Sequence, residues 1–330
     1  MNRKFWLFIL ILITFFIAQS CLRKVDEETS LVDLELIKIC KWKDNASTCV
    51  MFTFDDSNKS SINISKVLEK YNFKSTFFVI ASDLYTKDLK EMIANGHEIG
   101  NHTYSHINLK TADSSKVDFE IRMGKETIEN ALKIKCVSFA EPGGQKTPMS
   151  TRAVFRYHLF DRNYSEFQGA KRNFISYSDF TNVEPLMKSL RNAINEGSIL
   201  VIEGHGMDGD GYMPMSKVFF IQTLDSLKKY TNNEQVWLTT VKEGSQYENL
   251  YHEISLEKKQ LNNTLTFTFK GYNKEKYKDL LVSPISIEIP NILSEKLSCL
   301  TDSIQITKLT DKFVFTLDLK RNTNIVMKIN

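Results

Sequence analysis

Short apolar runs of strand type alternate with helical periodicity from about residue 40 to about residue 251. No other feature of this 330-residue chain constrains its fold as much. Strand-type runs fall at 48–54, 75–80, 97–101, 136–139, 199–202 and 236–239. Between them lie a helix with Ile64, Val67, Leu68 and Tyr71 at its apolar positions, one over 87–94 closed by Asn95-Gly96, and a longer one aligning Val117, Ile121, Ile128 and Leu132. Two more, at 184–195 and 216–229, continue the pattern. Such repetition predicts an α/β fold built on a parallel sheet or β/α barrel. After about Tyr251 the grammar changes to short alternating runs at 264–269, 285–289, 304–306, 313–317 and 325–327, split by polar turns. These predict a small antiparallel β-sandwich, with Phe267 and Phe269 in its core because period-two spacing puts both on one face. The expected organisation is one α/β domain over 41–250 and an all-β accessory domain over 251–330.

The first residues are expected to lie outside this fold. Arg3 and Lys4 precede an apolar run over 6–18, which is short for a membrane span and suits a secretory signal over 1–20. Ala18-Gln19-Ser20-Cys21 is similar to the lipobox of bacterial lipoproteins, although its first position is usually leucine. Cys21 is therefore the expected lipidation site, with 21–40 as a tether that includes Asp26-Glu27-Glu28; an ordinary signal peptide cleaved near the same place is the alternative. Either way the chain is expected to be exported. As a lipoprotein it would be periplasmic or at the cell surface, anchored to the outer or cell membrane; with the plain signal it would be secreted and soluble. A net charge of +3, with lysines interleaved among acids, indicates no nucleic-acid partner. The cysteines show no C-x-x-C spacing, so a cysteine metal site is not expected, and Cys49 and Cys136 read as small core residues.

In β/α folds the chemistry gathers at the carboxyl ends of strands, and the polar residues that stand out here fall there. Asp55-Asp56 closes the first strand, His102 and His106 follow the third, Pro142 follows the next, and His205 follows a late one. Aspartate is disfavoured inside strands, so two in succession mark an end exposed to something polar, either a turn before the helix near Ser60 or a site. Histidines four apart would face the same way on a helical turn and could share one ion. Asp56, His102 and His106 then make a three-ligand set for a divalent metal with a position left for water, and Asp55 and His205 remain for proton transfer. His97 lies a strand's length earlier and reads as structural. His205, between Gly204 and Gly206, could equally be a loop histidine without a role.

Phe52-Thr-Phe-Asp-Asp56, Ser75-Thr-Phe-Phe78, Asn95-Gly-His-Glu-Ile-Gly-Asn-His-Thr-Tyr-Ser-His106 and the late His205 together resemble the polysaccharide deacetylase family (NodB homology, carbohydrate esterase family 4) over roughly residues 45–245. The resemblance implies a distorted β/α (NodB-type) barrel that uses a divalent metal, most often Zn2+, to remove N- or O-linked acetyl groups from an acetylated glycan. It implies Asp56, His102 and His106 as metal ligands, Asp55 as catalytic base and His205 as catalytic acid. Two positions depart from the family pattern. Ala140 in Phe139-Ala-Glu-Pro142 stands where an arginine usually orients the base, and Arg162 is the expected substitute from another loop. Glu203 replaces the apolar residue usually found two before the acid histidine, so Glu203 and Pro142 are expected on the substrate side. Two further readings stay open: a glycan-binding protein on a decayed barrel, and a hydrolase of another amide on the same fold.

Overall fold

The computed structural model describes residues 33–164, 171–177, 182–233, 235–291, 297–301 and 304–329. The expected signal segment, Cys21 and most of the expected tether lie outside these residues. Among the described residues no helix is long and apolar enough to cross a membrane.

The first strand, β1 (Lys38–Ile39), pairs antiparallel with a strand some 250 residues later, Lys38 opposite Glu288. The end of the expected tether is thus part of the second domain; two residues are too few for periodicity to reveal. The barrel strands follow: β2 (Thr48–Asp55), β3 (Thr76–Val79), β4 (Glu98–Asn101), β5 (Ser138–Phe139), β6 (Phe160–Asp161), β7 (Arg172–Ser176), β8 (Ile199–Gly204) and β9 (Val236–Thr239). They form one parallel sheet in the order β6-β5-β4-β3-β2-β8-β7. Along one side of β2, β9 pairs with Thr48–Met51 and β3 takes over from Thr53. Strand twist curls a sheet of this size toward a barrel. Between its outer strands, Arg172 on β7 donates from Nη1 to the carbonyl oxygens of Asp161 (2.8 Å) and Arg162 (2.9 Å) at the end of β6.

Helices α1 (Ser61–Lys70), α2 (Thr86–Ala94), α3 (Ser114–Leu132), α4 (Pro148–Tyr157), α5 (Glu184–Glu196), α6 (Lys217–Asn232) and α7 (Val241–Glu253) complete the domain. Side chains alternate along each strand. Val50, Phe52, Phe54, Leu200 and Ile202 face outward into one core with residues of α1, α2, α5 and α6. Cys49, Met51, Ile199 and Val201 point the other way and share a core with Val241, Tyr247 and Leu250 of α7 and with Leu265, Phe267, Ile285 and Ile287 of the second domain. Helix α7 therefore lies between the inner barrel face and the sandwich. It comes so close to β2 that a Cβ on Gly244 would sit 2.4 Å from Met51 Cε.

The second domain adds β10 (Ser255–Leu261), β11 (Thr264–Lys270), β12 (Pro284–Pro290), β13 (Leu297–Cys299), β14 (Gln305–Lys308), β15 (Lys312–Asp318) and β16 (Asn324–Ile329). With β1 they make two antiparallel sheets, β1-β12-β15-β14 and β10-β11-β16-β13, facing each other as a sandwich. Phe267 and Phe269 are buried in its core, and Cys40, Cys49, Cys136 and Cys299 are free thiols.

Two histidines of the barrel are structural. His97 packs edge-on against Phe77, and His158 Nε2 contacts Asn101 Nδ2 at 3.2 Å. Burial, helped by Lys74, pushes the His97 pKa down to about 4; burial, helped by Lys125, pushes His158 down to about 3. The unfolded chain binds these protons near pH 6.5, whereas the folded one does so only near 4 and 3. Their contribution to stability is complete above pH 6.5 and is lost as pH falls toward those values. A His97→Asn/His158→Asn variant should lose stability less steeply between pH 7 and pH 5 than the wild type, as read by thermal unfolding. An unchanged slope would mean that other groups set the acid lability.

Candidate active site

The site is assembled by strand ends that break out of regular geometry. β2 ends at Asp55, and Asp56 (φ 73°) and Ser57 (φ 55°) follow in the left-handed region. That conformation costs a non-glycine residue about 1 kcal/mol, and here it turns the Asp56 carboxylate back over the barrel mouth. β4 ends at Asn101, and the two histidines follow in a loop, not on a helical turn as their spacing suggested. Thr103 (φ 71°) and His106 (φ 58°) are again left-handed, and His106 N donates to Thr103 Oγ1 at 2.9 Å. Glu120 of α3 pins this loop by accepting from Ser105 N (2.8 Å) and Ser105 Oγ (2.7 Å).

The loop brings His106 Nε2 to 3.2 Å and His102 Nε2 to 3.5 Å from the same oxygen, Asp56 Oδ1. That oxygen is buried, and neither approach has the alignment of a hydrogen bond. His102 Nδ1 donates to the Ala140 carbonyl at 2.8 Å, which fixes the tautomer and leaves Nε2 as a lone pair aimed at Asp56. Burial holds the His102 pKa below its ordinary value, so the ring stays neutral, as a ligand must be. The His106 pKa is raised by its contact with Asp56. Burial pushes the Asp56 carboxyl up, but the His106 contact and the neighbouring imidazoles outweigh it and hold it below the usual range. One donor atom from each of Asp56, His102 and His106 lies within 4.8 Å of the others, and an unsatisfied carboxylate oxygen sits between two imidazoles. This donor set fits a divalent cation.

Asp55 stands one residue earlier and faces the inside of the barrel, where it is 3% exposed. The guanidinium of Arg162, just past β6 and itself 1% exposed, meets it there. Nη1 donates to Asp55 Oδ1 at 2.6 Å and to Thr53 Oγ1 at 3.3 Å, while Nη2 lies 3.2 Å from Glu203 Oε2. Nε donates to Asn163 Oδ1 at 3.0 Å, and the group stacks over the Phe78 ring. Arg162 thus stands beside Asp55, and Glu203 is its second carboxylate. Asp55, Glu203 and His205 also place donor atoms within 4.8 Å of one another, but Arg162 already supplies the positive charge among them. His205 is half-buried; its Nδ1 is buried without a hydrogen-bond partner, and its ring meets that of Tyr212 edge-to-face. Pro142 is buried at the start of a 3-10 turn (Pro142–Gly144). A groove of about 350 Å³ opens beside Asp56 and His106 and is lined also by Lys59, Asp83, Tyr85 and Asp210; Pro142 and Glu203 are not among its lining residues.

Sequence reasoning brought together Asp55, Asp56, His102, His106, Arg162 and His205, and the structure places all six at one barrel mouth. It did not foresee that Glu203 would meet Arg162, or that Tyr212 would lie against His205. The only signal for the first was that one unusual carboxylate and one unusual cation stood at strand ends of the same domain.

Residues 43–158 match the family model for polysaccharide deacetylase. Over that stretch the barrel carries a polysaccharide deacetylase domain. The matched segment carries Asp55, Asp56, His102, His106 and Ala140, and it ends before Arg162, Glu203 and His205. A peptidoglycan-N-acetylglucosamine deacetylase of Bacillus cereus is 30% identical over 127 residues, which cover 37% of this chain and 56% of that protein. A chitooligosaccharide deacetylase of Azorhizobium caulinodans is 28% identical over 85 residues, 24% of this chain and 40% of that one. The chain spans about half or less of the length of these curated relatives. Among solved structures, a peptidoglycan N-acetylglucosamine deacetylase overlaps with a TM-score of 0.48 at 20% identity, over 61% of this chain and 89% of that chain.

Proposed function

We propose that this protein is a metal-dependent hydrolase that removes N- or O-linked acetyl groups from a glycan. What carries the reading is one strand end with two carboxylates in different settings: Asp56 faces two imidazole nitrogens, and Asp55 is gripped by a buried guanidinium. Asp56, His102 and His106 would hold the ion, and three N/O donors with an open position suit Zn2+. Such an ion supplies Lewis acidity toward the acetyl carbonyl and lowers the pKa of water. Asp55 accepts the proton of the attacking water, and the Arg162 hydrogen bond holds its carboxylate in place. His205, across the mouth, gives a proton to the departing sugar nitrogen or oxygen. Export, with a lipid on Cys21 tethering the protein to a membrane, belongs to the same proposal and rests on the sequence of the first 21 residues.

The test is acetate release from N-acetylated chitooligosaccharides, acetylxylan and peptidoglycan, with and without a chelator, alongside metal analysis of the purified protein. Release from at least one substrate, lost on chelation and restored by Zn2+, is expected. His102→Ala should lower bound metal to a small fraction of the wild-type content, a readout independent of turnover. Metal retained with no release from any of the three substrates would favour a glycan-binding protein or an enzyme for another amide.

A further inference from the structure

The loop after β8, from His205 to Ser216, is polar and rich in glycine, yet it is fixed at many points. Ser60 N donates to Asp210 Oδ2 at 2.5 Å, Met207 N donates to Ser60 Oγ at 3.1 Å, and Lys217 N donates to Asp208 Oδ1 at 2.8 Å. Met215 N returns to Gly206 O at 3.0 Å, and Asp208 N to Met215 O at 2.9 Å. Gly206 admits no side chain, since a Cβ there would lie 1.7 Å from Asp210 O. Gly211 has φ 87°, and its Cβ would meet Asn58 Nδ2 at 2.5 Å. At the tip of this tied loop, Tyr212 leaves 63% of its surface in solvent. Its ring centroid is 5.2 Å from that of His205, at 77°.

Exposure, a fixed position and contact with His205 coincide at this ring. We propose that Tyr212 is a sugar platform: its ring stacks on the apolar C–H face of a pyranose, either the reacting unit or the one bonded to it. This rests on the proposed deacetylase reading, in which His205 hands a proton to an atom bonded directly to the sugar ring. For that transfer the sugar must come within about 3 Å of the imidazole, whose ring already meets that of Tyr212. Stacking of this kind adds binding energy without touching the reacting bond. It should therefore act on the affinity for sugar and spare the chemical step.

The probes are N-acetylglucosamine oligomers of two to six units and acetylated xylo-oligosaccharides. With whichever series the wild type deacetylates, Tyr212→Ala should raise KM about 3- to 10-fold, the size of one aromatic contact, with kcat within about twofold. Tyr212→Phe, which keeps the ring and loses only the hydroxyl, should match the wild type in both. A fall in kcat at unchanged KM would mean that Tyr212 acts by positioning His205; unchanged constants in Tyr212→Ala would mean that the ring contacts nothing. Either result overturns the proposal. Calorimetric titration of the same oligomers into the Asp55→Asn protein, with and without Tyr212→Ala, separates this idea from the deacetylase reading. Weaker binding in the Tyr212→Ala background supports the platform even if the wild type releases no acetate. Equal binding, or none in either protein, overturns it even if the wild type is an active deacetylase. Thermal unfolding of each variant checks that the fold is retained.

Discussion

Arg162→Ala should lower acetate release about 100- to 1000-fold, the usual size of a lost electrostatic contact at a reacting group. The guanidinium lies between two carboxylates, 2.6 Å from Asp55 and 3.2 Å from Glu203, and is 1% exposed. Truncation leaves both acids facing each other without the guanidinium between them. Breaking a buried pair by deleting one partner costs about 3–5 kcal/mol of stability, so activity and folding should fall together in this variant. Two companions separate them. Arg162→Lys keeps a charge but offers a compact ammonium instead of a planar fork, so it cannot hold both carboxylates in the same geometry; intermediate turnover is expected. Arg162→Met/Glu203→Leu removes the guanidinium with one of its two carboxylates and fills the space with apolar atoms, leaving Asp55 alone. It should regain part of the stability lost in Arg162→Ala while turnover stays as low. If that double variant recovers turnover with stability, Arg162 matters to the fold and not to Asp55. If Arg162→Ala is fully active, it has no part in the reaction.

Much of this was legible in the sequence because the residues concerned speak through local spacing. Strands buried on both faces read as apolar runs, so β2, β3, β8 and β9 stand out, and Asp55-Asp56 marks an end because aspartate is disfavoured in a strand. The His102/His106 pair was legible as a site, but not as a shape. Spacing of four fits a helical turn, yet the left-handed Thr103 and His106 bring the rings together in a loop. Helix α7 was missed because its pattern is not amphipathic. Ser245, Gln246, Glu248 and Asn249 are buried beside Tyr247 and Leu250. Partners distant in sequence satisfy three of these polar groups: Arg172 Nη2 donates to Glu248 Oε2 at 2.6 Å and to Ser245 Oγ at 3.1 Å, and Gln246 Nε2 donates to Val282 O and Ser283 Oγ, both at 2.8 Å. A single sequence shows a buried polar residue and its distant partner as two unrelated surface residues. The Arg162–Glu203 contact was hidden for the same reason.

Glu98→Ala should destabilise the whole protein by about 3–5 kcal/mol and lower its denaturant midpoint in one cooperative transition. Glu98 on β4 is 6% exposed, and every contact it makes crosses from one element to another. Its Oε1 accepts from Ser138 Oγ at 2.6 Å, beside which β5 begins; Oε2 accepts from Thr76 Oγ1 of β3 at 2.8 Å and from the backbone N of Lys242 at 2.9 Å. Thr76 Oγ1 in turn accepts from Val241 N at 2.8 Å. The first two amides of α7 are thereby satisfied, and a carboxylate sits at the positive end of the helix dipole. Alanine would leave a backbone N–H and two hydroxyls without acceptors in a dry interior, at about 1–3 kcal/mol for each buried unsatisfied group. Glu98→Gln keeps the shape and one acceptor oxygen, so it should lose about half as much. The single transition is the sharper part of the expectation. Helix α7 joins the barrel interior to the sandwich: Tyr247 OH donates to Cys40 O at 3.0 Å and accepts from Ser286 N at 3.2 Å. Loosening its N-terminus should weaken both domains at once. If the sandwich kept its own later transition when Glu98→Ala unfolds the barrel, the shared core would be a docking surface between two independent folding units, and α7 would belong to the barrel alone.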